Sequence, residues 1–164
     1  MQTPSVRFIS ILQALLESKV EFILVGGVAA VIHGAPVTTF DIDIVHRRTP
    51  ENIERLIKAL ESLDAHYRHV PERRLRPTES HLATLGHQLL LTRFGPLDVL
   101  GMIGDNHSYD DLISHTEPMR IVEDSLINVI SLPRLIQSKE EVGHQKDQAT
   151  LEILRETLRQ KSKI

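Results

Sequence analysis

The apolar run Phe22-Ile23-Leu24-Val25 stops at Gly26-Gly27, and Asp41-Ile42-Asp43-Ile44 follows a short way downstream. This combination constrains the chain more than any other stretch. Phe40–Val45 alternates in character, as a strand with one polar face does, and residues i and i+2 of a strand share a face at roughly 6.6 Å between Cα atoms. Asp41 and Asp43 are therefore expected side by side. Two carboxylates so placed repel, and desolvating them without a counter-charge is costly. A divalent cation relieves the repulsion, and hard oxygen ligands favour Mg²⁺ or Mn²⁺. A solvated edge strand with a polar face is the alternative. Upstream, Val28–His33 reads as a short helix closed by Gly34 and Pro36. A strand, a glycine turn and a helix start expose backbone N–H groups to which phosphate oxygens can come close. Glycine pairs also make ordinary tight turns, but next to Asp-x-Asp this one predicts a phosphate cradle beside a metal site.

The remaining elements follow from periodicity. Thr3-Pro4 and Thr49-Pro50 are helix starts, with Thr as N-cap and Pro in the first turn. Behind them, Phe8, Ile11, Leu12, Leu15 and Leu16 mark one helical face, and Ile53, Leu56, Ile57, Leu60 and Leu63 another. His66–Pro77 has no periodicity and carries Arg68, Arg73, Arg74 and Arg76 with Glu72 as its one acidic residue, so an exposed loop is expected. Gln88–Thr92 and Leu97–Leu100 predict a hairpin turning at Phe94-Gly95-Pro96. Asp110–His115 reads as a short helix, and Met119–Val122 and Ile127–Ile130 as strands. Ser131-Leu132-Pro133 opens a helix that Gly143 ends, and Asp147 starts the last helix. The order predicts a mixed α+β domain with helices at both ends. We expect one domain over residues 1–164, with a core at about 20–130 and a helical C-terminal segment at about 131–160.

Composition narrows the function classes. The 164 residues are 41% hydrophobic and 25% charged, enough for one main core. With 19 Lys and Arg against 22 Asp and Glu, no global basic field advertises nucleic acid, and such a partner would have to meet a local patch. The absence of cysteine excludes disulfides and thiolate metal sites. The apolar runs fall short of a membrane span and no signal-peptide pattern leads the chain, so a cytoplasmic protein without a membrane partner is expected.

Asp98 is the only acidic residue in the hairpin strands, set in Leu97-Asp98-Val99-Leu100. Burial and strand propensity both oppose an Asp there. If its strand lies beside that of Asp41 and Asp43, the three carboxylates converge on one cluster. Such a trio suits two Mg²⁺ ions roughly 3.5–4 Å apart, with one carboxylate taking a proton from an attacking hydroxyl. The alternative is an Asp that caps a turn.

With Val25-Gly26-Gly27, Asp41-Ile42-Asp43 and Asp98 in hand, the chain resembles the nucleotidyltransferase superfamily of the DNA polymerase beta type. Within it the chain looks most like the small prokaryotic MNT-like and AbiEii-type enzymes, several of which belong to toxin–antitoxin or phage-defence systems. Thr39, and Leu135–Lys139 followed by Gly143–Asp147, fit that subgroup, and the resemblance spans about residues 20–160. It implies a small mixed sheet with flanking helices on one side and a helical C-terminal segment closing over a nucleotide. It further implies Asp41, Asp43 and Asp98 as metal ligands and catalytic residues, and Gly26, Gly27, Thr39, Lys139 and Lys146 as nucleotide-binding residues. The resemblance departs at Val37 and His144, where relatives often carry arginine; each loss removes a guanidinium able to grip phosphate bidentately.

The implied activity is Mg²⁺-dependent transfer of a nucleoside monophosphate from an NTP to a hydroxyl on an RNA end, a protein or a small molecule. The alternative is a non-catalytic protein of the same fold that regulates a partner protein. Several residues have two readings from sequence. Lys139 and Lys146 are phosphate ligands or exposed helix lysines, and Asp147 is a helix cap or an anchor for Lys139. The arginine loop is solvated surface or a guide for RNA or triphosphate. The nine histidines lack zinc-ligand spacing.

Overall fold

The computed structural model describes residues 6–163, without the side chains of Val6 and Lys146. The predicted helix start at Thr3-Pro4 lies outside the described residues. Helix α1 (Val6–Glu17) buries Ile11, Leu12 and Leu15 completely, the face that its periodicity marks. Strand β1 (Phe22–Val25) passes directly into α2 (Gly26–Ile32), and β2 (Ile42–His46) follows after a loop. Helix α3 (Pro50–Ser62) is capped by the Thr49 side chain, which accepts from the Asn52 N–H at 3.3 Å.

The segment expected to be a loop is more structured than its composition implies. It holds β3 (His66–Tyr67) and a 3₁₀ turn at Pro71–Arg73. Two residues are too few to show a period, so only their pairing with a neighbouring strand reveals β3. After α4 (Glu79–Leu82), strands β4 (His87–Thr92) and β5 (Gly95–Leu100) form the expected hairpin. Its turn is tighter than predicted: Thr92 pairs with Gly95, leaving Arg93-Phe94 as a two-residue connection. Gly95 supplies φ +124° there, and the Thr92 hydroxyl holds the turn by donating to the Gly95 carbonyl at 2.8 Å. Next come α5 (Tyr109–Leu112), β6 (Thr116–Val122), β7 (Ser125–Ile130), α6 (Leu132–Val142) and α7 (Gln148–Ser162).

The strands form one mixed sheet in the order β3-β4-β5-β2-β1-β7-β6. Strands β2 and β5 run parallel at its centre, as do β1 and β7, and the other neighbours are antiparallel. All four residues of β1 are buried, so the sheet is covered on both faces there rather than on one, in keeping with its unbroken apolar run. Helix α1 packs on α3, and α2 on α6, which in turn meets α7. The ends of β1, β2 and β5 thus meet the start of α2 and one side of α6, and this junction carries the candidate site.

Candidate active site

Strand register assembles the carboxylates. Asp43 lies opposite Asp98 in the parallel β2–β5 pair and opposite Val25 at the end of β1. Asp41 immediately precedes β2 and shares the face of Asp43. One oxygen from each of Asp41, Asp43 and Asp98 falls within 4.8 Å of the others, and among the described residues this is the one His/Asp/Glu cluster with that geometry. Neighbouring Ile42, Ile44, Leu97 and Val99 are fully buried on the opposite face, anchoring the strands that present the acids.

Convergence has an electrostatic cost. Burial, then the charges of Asp41 and Asp98, push the Asp43 carboxyl up to about 8. Burial and Asp98 also raise Asp41. Carboxylic acids held protonated this way are primed to exchange protons for a cation. The donor set is all oxygen, clustered and short of positive charge, which fits a hard divalent ion.

Two nearby cations offset part of the repulsion. Arg68, one residue beyond β3, reaches Oδ1 of Asp98 at 2.5 Å and donates to the Leu90 carbonyl at 3.2 Å. Its hydrogen bond to Asp98 holds the guanidinium even more firmly charged. Arg68 falls in the segment expected to be a loop, and its own neighbours in sequence do not point to this contact. The one signal for it was that His66-Tyr67 can pair with β4 and so deliver the next residue to the sheet. Lys139, on α6, favours the charged form of Asp43 and lies 3.9 Å from Asp147. Asp147 makes no side-chain cap bond at α7, so of its two readings the structure gives the Lys139 anchor. Lys139 and Lys146 do not share one helix, because α6 ends at Gly143 with φ +67°. The Lys146 side chain lies outside the described residues.

The glycine pair is explained first by side chains. Gly26 has φ +70°, and a Cβ there would overlap the Asp43 carboxylate. A Cβ on Gly27 would sit 2.6 Å from Oγ1 of Thr39, which itself donates to the Asp41 carbonyl at 3.1 Å. The glycines therefore make room for the acids and for the threonine that steadies the approach to Asp41. Gly27→Ala is expected to destabilise the fold by about 1–2 kcal/mol, and less in a Thr39→Gly background. Denaturant melts of the four proteins of this cycle measure the coupling; strict additivity would show that the two residues do not contend for space.

A cavity of about 170 Å³ opens beside Asp43, walled by Val25, Leu100, Ile103, Leu135 and Val142, with Gly26 and Lys139 on its lining. Val37 packs against the core, and His144 is exposed. In the arginine loop, Arg74 and Arg76 both pair with Asp64, which lies just outside the segment whose charges were counted from sequence. Arg73 is exposed. His33 and His46 are buried with ring nitrogens on backbone carbonyls, and burial lowers both pKa values, consistent with neutral structural groups.

No family model matches the sequence, and neither does any curated protein. Solved structures do match. A protein of Thermotoga maritima assigned as a nucleotidyltransferase aligns over 93% of this chain and 93% of its own, with a TM-score of 0.55 and 18% identity. The lincosamide antibiotic adenylyltransferase LnuA, solved with lincomycin bound, aligns over 94% of this chain and 98% of its own, with a TM-score of 0.62 and 15% identity. At these identities the likeness is one of architecture: this chain has a nucleotidyltransferase fold.

Proposed function

We propose that the chain is a divalent-metal-dependent nucleotidyltransferase that moves a nucleoside monophosphate from an NTP to a hydroxyl of an acceptor. The observation that carries this reading is the meeting of Asp41, Asp43 and Asp98 within 4.8 Å on a nucleotidyltransferase fold. These three residues would hold Mg²⁺ or Mn²⁺, which when bound supplies positive charge to the phosphates at the reacting centre. Asp98 would take the proton of the acceptor hydroxyl. The freed oxygen forms a bond to the α-phosphorus, the bond from that phosphorus to the β-phosphate bridge breaks, and pyrophosphate leaves. The triphosphate lies along Gly26, Gly27 and Thr39, with Lys139 and Lys146 neutralising its outer phosphates. The cavity beside Asp43 takes the rest of the nucleotide.

The acceptor is the least constrained part. Arg74 and Arg76 are held by Asp64 and Arg68 by Asp98, which weakens the case for RNA and favours a small hydroxylated molecule or a protein side chain. LnuA, by its name, adenylylates an antibiotic. A place among the MNT-like or AbiEii-type enzymes, with a toxin–antitoxin or phage-defence role, belongs to the same proposal. The test is incubation with each α-³²P-labelled NTP and Mg²⁺, offered RNA, lysate protein and small hydroxylated compounds in turn. Labelled acceptor and released pyrophosphate are expected in equal amounts, and neither is expected from Asp98→Asn. NTP binding without pyrophosphate release under any of these conditions would leave a non-catalytic regulator of a partner protein as the better account.

A further inference from the structure

We propose that Arg68 is the resident cation of Asp98, so that the nucleotide-free protein takes up one divalent ion on the Asp41–Asp43 side rather than two. This inference rests on the metal-dependent reading above. Three observations carry it. First, the guanidinium occupies Oδ1 of Asp98, whose side chain is only 11% exposed, so an ion seeking that oxygen must displace a cation that cannot lose its proton. Second, Arg68 is fixed at both ends. Its backbone N–H donates to the Leu89 carbonyl at 3.2 Å, and its side chain donates to the Leu90 carbonyl. The strand before it pairs with β4, and the Tyr67 N–H reaches the Leu75 carbonyl at 2.7 Å. The following stretch is tied down by Arg74 and Arg76 on Asp64. Third, the charges fit one ion. Lys139 is shared with Asp147, so once an arriving ion displaces the acidic protons, three ionised carboxylates with Arg68 leave a net charge of two negatives, which that one divalent ion neutralises. A second ion would leave an excess of positive charge until a triphosphate arrived.

Arg68 differs in this from Arg74 and Arg76, which meet Asp64 on the exposed surface. It acts through Asp98 and the metal balance of the site, and so is a positioning residue. Its substitution should change metal uptake in the absence of any nucleotide.

The experiment is a titration of nucleotide-free protein with Mn²⁺, reading free Mn²⁺ by electron paramagnetic resonance. The wild type should bind one ion. Arg68→Met, which keeps much of the apolar stem without the charge, should bind a second ion or tighten the first by about tenfold or more, as expected from removing a like charge a few ångströms away. Arg68→Lys should stay at one ion. Circular dichroism and a melting curve establish that each variant is folded, and the wild-type stoichiometry stands even if Arg68→Met is not. Two ions of equal affinity in the wild type, or an unchanged isotherm in folded Arg68→Met, would overturn the proposal while leaving the metal-dependent reading in place. No Mn²⁺ uptake by either protein would overturn both.

Discussion

At pH 8 without divalent ions, Asp43→Asn is expected to melt roughly 4–8 °C above the wild type, about 2 kcal/mol for a domain of this size, while transferring at least about 10³-fold more slowly. Both effects come from one buried carboxyl. Burial and the neighbouring acids push it up to about 8 from its ordinary 3.8, so between those limits the folded state holds the proton more tightly than the unfolded chain does. Its contribution to stability is full below about pH 4, is lost as pH rises to about 8, and is flat above. The metal-free wild type should therefore lose melting temperature across that window. Asparagine cannot ionise and should flatten this part of the profile. Mg²⁺ should restore stability to the wild type and do little for the variant. Melting curves from pH 5 to 9, with EDTA or with Mg²⁺, measure this directly. A wild-type melting temperature that holds steady between pH 5 and 8 without metal, or a variant that keeps several per cent of its activity, would remove the carboxylate cluster from the explanation.

Gly26→Ala is expected to cost roughly 3 kcal/mol of stability and most of the activity. Its φ of +70° is a conformation that costs an L-residue about 1–2 kcal/mol. The added methyl must also displace the Asp43 carboxylate or the start of α2. Either movement shifts an acid to which the proposed mechanism gives a metal-binding role, where displacement by about an ångström can cost on the order of 10²-fold in rate. Denaturant titration and single-turnover transfer would test it together. A variant of wild-type stability and rate would mean that the backbone here has slack.

Local pattern made much of this legible. The unbroken Phe22–Val25 run, the stripe from Ile53 to Leu63 and the Asp41/Asp43 alternation each reveal an element because the information lies within a few residues. Asp98 stood out because a carboxylate in an apolar strand needs a reason. Contacts set by register were not legible. Nothing within His66–Pro77 says that Arg68 meets a residue thirty positions on, or that Arg74 and Arg76 turn back to Asp64. A second need for Gly26 is hidden for the same reason. A glycine turn suggests an approaching phosphate, whereas the object nearest its missing Cβ is the chain's own Asp43. Asp147 read as a helix cap by position, but its partner is Lys139, on the other side of the Gly143 break.

The pairing of Asp43 with Asp98 across two adjacent strands also bears on how the chain reaches its native state. Strand side chains alternate faces, so a slip of one position between β2 and β5 would bring Leu97 or Val99 beside Asp43. Those two side chains are completely buried in the native sheet; pairing either with the acid would expose an apolar side chain or force a carboxylate into the core. The misregistered sheet would thus lose its core packing and its carboxylate cluster in one step. On the proposed metal-dependent reading, affinity for a divalent ion would report correct strand alignment, because only the aligned sheet sets Asp43 beside Asp98.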